Sequence, residues 1–225
     1  ENEKPLRLVA FLAVLVLMAA WEIRWPRKKL TQSKLVRWSN NLALVFFNGW
    51  LLRLVFPAAA LGFAVQAEDM QWGLFQQLDW PLWIEVPLAV ALLDCAIYWQ
   101  HRLFHVIPLF WRLHRVHHAD QDIDVTTGAR FHTAEILLSM LIKWGMILLL
   151  APALVAVVVF ELLLNLTAMF NHSNVKMPLW LDDKLRWFLV TPDMHRVHHS
   201  IRSQEHNANF GFNLPWWDRL FGSYV

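Results

Sequence analysis

The chain has 225 residues, of which 57% are hydrophobic, and it carries 14 Trp and 15 Phe. Its formal net charge is only +2, too small to indicate nucleic-acid binding, so no nucleic-acid partner is expected. This composition excludes an ordinary soluble domain and indicates an integral membrane protein. A single cysteine, Cys95, excludes an intrachain disulfide.

The first apolar segment, at about 6–23, is predicted to be a transmembrane helix, with a signal peptide as the competing interpretation. Six basic residues follow it in one short loop: Arg24, Arg27, Lys28, Lys29, Lys34 and Arg37. Basic loops mark the cytoplasmic side of a membrane, so this loop is expected to be cytoplasmic. The second segment, at about 42–65, is long enough to cross the membrane, and Pro57 predicts a kink within it.

The third apolar segment, at about 82–105, leads directly into a histidine-rich stretch. It carries Asp94, whose carboxylate is costly in a bilayer unless it contacts a site or a partner. Asp94, His101 and His105 lie on one stripe of the predicted helix. Asp94 is therefore expected either to orient a metal-ligating histidine or to form a hydrogen bond between helices. Pro108 is expected to end or bend this helix.

Eight histidines fall into three boxes with helical spacing: HRLFH at 101–105, HRVHH at 114–118, and HRVHH again at 195–199. Within each box the histidines lie about one turn apart, so their rings can converge. Neutral imidazole is a good ligand for transition metals, whereas such rings would repel one another if protonated. The sequence therefore predicts a two-metal site with these ligands: His101, His105, His114, His117, His118, His195, His198 and His199.

Three more residues are candidates for this site. His172 lies where the last apolar segment ends and is a candidate ninth ligand, although the neighbouring Asn171 could simply cap the helix. His132, in RFHTAE, is another candidate ligand, and Glu135 on the adjacent turn could orient a ligand histidine. His206 lies in a polar stretch and is expected at the surface.

The last apolar stretch is too long for one crossing, contains only two charges, Lys143 and Glu161, and is interrupted by Pro152. It is predicted to form a hairpin with arms at about 136–150 and 153–170. Two crossings also bring the second and third histidine boxes to the same side of the membrane.

The predicted fold class is therefore all-α. The chain is expected to form a single membrane-embedded domain, 1–225. This domain is an integral membrane helical bundle with four transmembrane helices, in which the two-armed hairpin is counted once. A cytosolic histidine-rich helical cap is expected at 106–135 and 171–225.

The three boxes, followed by NHSN, TPDMHRVHHS and NFGFNLPWWDRLFGSY, resemble those of the fatty acid hydroxylase/sterol desaturase superfamily of integral membrane di-iron oxygenases. The resemblance extends from about Asp94 to the C-terminus. It implies a four-crossing helical bundle with a cytosolic cap, and it assigns metal binding to the eight box histidines, joined by His172. One departure is HTAE at His132, where many relatives read HPxE.

The resemblance implies two iron ions and O2 as co-substrate. Imidazole ligation does not choose between zinc and iron, so zinc in purified protein is also possible. It implies hydroxylation or desaturation of an unactivated C–H position in a fatty acyl, sterol or related lipid. Two external electrons are required, and the sequence has no haem, flavin or iron–sulfur motif. An external donor, such as a ferredoxin or a cytochrome with its reductase, is therefore expected. The compact length and the lack of an endoplasmic-reticulum retrieval signal indicate a bacterial inner membrane, with the active site on the cytoplasmic side.

Other functional classes fit the sequence less well. A metal carrier would place polar ligands near the middle of the membrane, and a haem protein needs only one or two axial histidines. A zinc-dependent integral membrane hydrolase is a closer alternative, because imidazole ligation does not choose between zinc and iron. It would need a carboxylate general base, for which Glu135 and Asp193 are the candidates.

Overall fold

The computed structural model describes residues 3–57 and 59–225, and its description of side chains begins at residue 8 and omits residue 59. Within these residues the chain is α-helical and has no β-strand. The first four helices are α1 (Glu3–Arg24), α2 (Lys34–Val55), α3 (Ala59–Asp69) and α4 (Leu82–Val106). Seven more follow: α5 (Pro108–His118), α6 (Thr133–Leu150), α7 (Leu154–Asn171), α8 (Leu179–Leu185), α9 (Pro192–His198), α10 (Ser203–His206) and α11 (Trp216–Leu220).

Four stretches of the described chain are long and apolar enough to cross a membrane: Lys34–Asp69, which combines α2 and α3, and helices α4, α6 and α7. The all-helical architecture and these four stretches confirm the predicted fold class and indicate a multi-pass membrane protein. These four differ from the predicted set, because they count the two arms of the hairpin separately and do not include the crossing predicted at 6–23. The predicted crossing at 6–23 coincides with α1, but its first side chains lie outside the described part, so that crossing stays a prediction.

Prolines lie at two of the boundaries between consecutive helices. Helix α2 ends at Val55 and α3 begins at Ala59, so the predicted second crossing is interrupted around Pro57. Proline lacks the backbone N–H that would continue a helix. Pro108 likewise begins α5 directly after α4, as the sequence predicted, and the extended Ile107 between them turns the chain.

The hairpin between α6 and α7 closes in a tight turn. Ala151 has a positive φ of 44°, and its N–H donates to the carbonyl of Ile147. Glu85 of α4 accepts a hydrogen bond from the N–H of Ala153 at 2.6 Å. The turn is therefore held both by its own backbone and by a neighbouring helix.

Small residues allow the membrane helices to approach one another closely. Ala60 and Ala64 of α3, Ala89 of α4 and Ala156 of α7 are almost fully buried in one apolar core, which also contains the fully buried Phe160. Close backbone packing replaces the hydrophobic driving force that is absent between helices in lipid. This core holds α4, α6 and α7 together beneath the histidine boxes.

A buried arginine fastens the loop after α5 to α2. Arg37 donates to Asp120 at 2.7 Å and to Asp124 at 2.5 Å, and it also donates to the backbone carbonyl of Asp122. Because both carboxylates are almost fully buried, their pairing with a cation is needed to offset the cost of burial. The loop that follows the second histidine box is thereby held in one place.

The basic loop after α1 contacts the segment that follows α7. An isolated antiparallel bridge pairs Pro26 with Val175. Arg27 N donates to the carbonyl of Asn174 at 2.8 Å, and Lys176 N donates to the carbonyl of Trp25 at 2.9 Å. The basic loop therefore lies on the same side of the helical bundle as the end of α7.

Candidate metal centre

Nine imidazoles converge where α4, α5 and α9 meet the C-terminal end of α7. They form two clusters, and within each cluster the ligand atoms lie within 4.8 Å of one another. The first cluster contains His101, His105, His114, His118 and His198. The second contains His117, His172, His195 and His199. The structure thus brings together the eight box histidines and His172.

Each HRVHH box contributes to both clusters. In α5, His114 and His118 lie one turn apart and join the first cluster, whereas His117 joins the second. The box at 195–199 divides in the opposite proportion, with one ring in the first cluster and two in the second. Neighbouring residues in a helix point in directions about 100° apart, so one short helix can supply ligands to two adjacent sites.

Oxygen acceptors orient five of the nine rings through Nδ1. The distances from Nδ1 to the oxygen are 2.8 Å for His101 and Phe210 O, 2.6 Å for His114 and Glu135 Oε1, 3.1 Å for His117 and Arg130 O, 2.7 Å for His172 and Ala168 O, and 2.8 Å for His198 and Ala208 O. A backbone carbonyl oxygen can only accept a hydrogen bond, so Nδ1 carries the proton in the four rings that face one, those of His101, His117, His172 and His198. The lone pair is then on Nε2, which is the atom left for a metal ion.

The second cluster brings such Nε2 atoms into direct contact. Nε2 of His172 lies 3.0 Å from Nε2 of His117 and 2.9 Å from Nε2 of His195. His117 and His172 both carry their proton on Nδ1, so their facing lone pairs cannot form a hydrogen bond. Burial lowers the pKa of His172 to about 4 and lowers the pKa of His117 well below its usual value, so protonation does not bridge them at neutral pH.

A shared metal ion accounts for this contact. Two imidazole nitrogens bound at right angles to one ion, each about 2.1 Å away, lie about 3 Å apart. The second cluster therefore fits a transition-metal ion in the chemistry of its donors and in their spacing.

The first cluster fits a metal ion for a related reason. All five of its rings have a buried Nε2 with no hydrogen-bond partner among the described residues: His101, His105, His114, His118 and His198. A buried polar atom without a partner costs about 1–3 kcal/mol. Burial lowers the pKa of His114 and His198 well below the usual value, which keeps these rings in the neutral form that binds metals. One bound ion would satisfy several of these atoms at once.

The two predicted carboxylates lie in different surroundings. Glu135 contacts His114, where a carboxylate fixes the orientation of the ring. Asp94 instead accepts hydrogen bonds from the C-terminal tail: the N–H groups of Asn213 and Leu214, and the indole of Trp217 at 2.8 Å. Asp94 therefore reaches the metal centre only indirectly, by anchoring the tail.

The remaining candidates lie outside both clusters. His132 caps α6, since its Nδ1 accepts a hydrogen bond from the N–H of Ala134. His206, expected at the surface, is half-buried and stacks on Trp111 at 5.5 Å, and its ring centroid lies 6.1 Å from that of His105. Asp193 pairs with Arg27 at 3.0 Å.

Two openings reach the clusters. An apolar cavity of about 320 Å³ between the membrane helices is lined by His101, His114, His117 and His195. A charged groove of about 770 Å³, bordered by the basic loop after α1, reaches His199. One route thus leads from the membrane-crossing helices and the other from the polar cap.

The profile of one protein family, described as fatty acid hydroxylase, matches residues 86–223. The chain belongs to the fatty acid hydroxylase family. The matched range contains all nine clustered histidines, and the match confirms the resemblance drawn from the histidine boxes.

Relatives within this family act on lipids according to their names. The chain is 31% identical over 150 residues to alkylglycerol monooxygenase from Xenopus tropicalis, a match that covers 65% of the chain and 31% of the relative. It is 27% identical over 222 residues to an ornithine lipid hydroxylase from Rhizobium tropici, covering 96% of the chain and 66% of the relative. The chain thus spans less than two thirds of the length of either relative. No solved structure matches the chain.

Proposed function

We propose that this protein is a membrane-bound di-iron oxygenase that hydroxylates, or desaturates, an unactivated C–H position of a lipid. Hydroxylation would consume the lipid C–H group, O2, two electrons and two protons, and would release an alcohol and water. The fatty acid hydroxylase family and the lipid hydroxylases among its relatives support this reaction class.

The observation that carries the proposal is the pair of histidine clusters beside an apolar cavity. Nine neutral imidazoles suffice for two metal ions, and the facing Nε2 atoms of His117 and His172 require a cation near them. The neighbouring cavity opens between apolar helices, where a lipid chain can enter without crossing water. Bound iron would supply the activation of O2 that oxidises an unactivated C–H bond.

The chain itself would position the substrate and exclude water. Phe104, Phe131, Met140 and Leu164 line the cavity beside the clusters and form an apolar wall. Such a wall protects a reactive site from water and holds an alkyl chain by packing alone. Glu135 would keep His114 in its ligand orientation throughout the reaction.

The charged groove supports an external electron donor on the polar side of the protein. It reaches His199, so a ferredoxin or a cytochrome bound there would approach the second cluster without entering the membrane. The contact between the basic loop and the end of α7 supports a cytoplasmic location for the active site, because basic loops stay in the cytoplasm. We therefore extend the proposal to a bacterial inner membrane with its catalytic face towards the cytoplasm.

Metal analysis tests the proposal directly. Protein purified anaerobically from iron-replete cells is compared with His198→Ala and with His132→Ala, a matched histidine outside both clusters. Elemental analysis and Mössbauer spectroscopy should find two antiferromagnetically coupled irons per chain in the wild type. They should find a clear loss in His198→Ala and no change in His132→Ala. Reconstitution with a ferredoxin, its reductase and O2 should then oxidise a lipid from a panel of acyl lipids and sterols.

A zinc hydrolase is the second outcome that this experiment detects. Stoichiometric zinc without iron would favour it, and so would failure to oxidise any lipid tested. The structure offers it little support, because Glu135 is bonded to His114 and Asp193 is paired with Arg27.

A further inference from the structure

Polar side chains follow one face of α6 along the apolar cavity. Glu135, Ser139 and Lys143 are spaced one turn apart, and all three line the cavity. Along the helix axis, Ser139 lies about 6 Å and Lys143 about 12 Å beyond Glu135. Because Glu135 contacts His114, this row leads from the first cluster into the membrane-crossing part of the bundle.

Each member of the row has a partner on a neighbouring helix. Ser139 accepts a hydrogen bond from Gln100 Nε2 of α4 at 2.8 Å, and Lys143 pairs with Glu161 of α7 at 2.8 Å. Polar groups at this depth are costly and tend to mark the paths of substrates. Contacts between helices explain the bonds that are formed, but they do not explain why the polar groups face a cavity.

Gln100 has one polar atom left over. Its Oε1 is buried and has no hydrogen-bond partner among the described residues, although the residue lines the cavity. Buried amide oxygens are nearly always hydrogen-bonded in folded proteins. A ligand in the cavity that donates a hydrogen bond would supply the partner.

We propose that Gln100 and Ser139 form a polar subsite that binds a hydroxyl group of the lipid substrate, about one helical turn from the metal clusters. A hydroxyl group can donate to an amide oxygen and accept from a serine hydroxyl at the same time. A charged group fits less well, because Lys143 is already paired with Glu161. The identification of this ligand as the substrate rests on the proposed function, whereas the binding itself does not.

The test measures binding without turnover. Full-length, metal-loaded protein in lipid nanodiscs is labelled with a diazirine-bearing hexadecanol, anaerobically and without an electron donor. Hexadecanol and hexadecane then compete for the label. In the wild type, hexadecanol should compete at about tenfold lower concentration, the ratio expected for one or two net hydrogen bonds.

Two variants and a control locate the preference. In Gln100→Leu and in Ser139→Ala, the advantage of hexadecanol should fall below about threefold. In Ser39→Ala, which removes a hydroxyl that donates to Leu35 O within its own helix, the advantage should stay at the wild-type value. Thermal unfolding of all three variants reports whether each one still folds.

The outcomes separate this inference from the proposed function. Equal competition by the two compounds in the wild type would overturn the subsite, and so would an unchanged preference in both folded variants. A wild-type protein that prefers hexadecanol through Gln100 and Ser139 but oxidises no lipid with iron, O2 and a donor would support the subsite and refute the oxygenase.

Discussion

Replacing Gly128 with alanine should disturb the second histidine cluster without replacing any of its histidines. A methyl group at Gly128 would lie 2.6 Å from the carbonyl oxygen of Ala168 and 3.1 Å from Nδ1 of His172. These two atoms are themselves joined by the 2.7 Å hydrogen bond that orients His172. The new methyl group would therefore press on both ends of the bond that sets this ligand.

The magnitude follows from the contact distances. A separation of 2.6 Å from a backbone carbonyl is not relieved by rotating a side chain, so α7 or the loop that contains Gly128 has to move. Overpacking of this kind usually costs about 1–3 kcal/mol. A shift of His172 by a few tenths of an ångström would also weaken metal binding in the second cluster, because ligand positions must match the coordination distance closely.

Iron content and thermal unfolding measure the two effects together. Gly128→Ala should lower the unfolding midpoint and reduce iron from two towards one per chain. Gly145→Ala is the matched control, because an added methyl group there meets nothing within 4 Å. Gly145 lies within α6, where alanine is favoured by about 0.5–1 kcal/mol, so this control should keep its iron and unfold no earlier. Full iron content and an unchanged midpoint in Gly128→Ala would refute the assignment of His172 as an oriented ligand.

Three further predictions concern charge and protonation. Arg37→Met leaves two buried aspartates without their cation and should destabilise the protein by about 3–5 kcal/mol in denaturant unfolding. The control Arg53→Met, at an exposed position, should not destabilise the protein by this amount. Equal effects of the two substitutions would contradict the role of the buried network. Glu135→Leu should weaken iron binding in the first cluster by about 10–100-fold, because His114 loses the acceptor that orients it, whereas Glu135→Gln should retain most of the affinity in metal titrations. In metal-free protein, the pKa of His172 is lowered from 6.5 to about 4, so unfolding takes up a proton between these values. The contribution of the neutral His172 ring to the free energy of unfolding should therefore be fully present above pH 6.5 and decrease as the pH falls towards 4. A thermal midpoint that does not change between pH 7 and 5 would argue against neutral buried rings.

The convergence of the histidines could be predicted from the sequence because helical spacing alone brings them together. His101 and His105 lie on one face of a regular helix, and the two HRVHH boxes need no distant information to form trios. The lengths of the apolar segments likewise predict the membrane-crossing helices, because length and hydropathy are also local properties of the sequence. The interruption around Pro57 and the start of α5 at Pro108 also follow from local chemistry.

The surroundings of the ligands could not be predicted in the same way. His101, His172 and His198 are oriented by backbone carbonyls, and every residue has a carbonyl, so no residue type marks the acceptor. Asp94 was expected either to orient a histidine or to join helices, but its partners lie about 120 positions further along the chain. His206 lies in a polar stretch, so local composition gives no sign that it stacks on Trp111.

The bridge between Pro26 and Val175 has a consequence for how the protein is made. Its two residues lie 149 positions apart in the sequence, so the loop after the first helix leaves the ribosome long before the segment it pairs with exists. At about 5–20 residues per second, the wait is about 7–30 s. The third histidine box and the tail that anchors it emerge later still. Neither cluster can therefore be completed until the third box has been synthesised, and a ribosome that stalls before residue 195 would leave a chain without the histidines that close the two clusters.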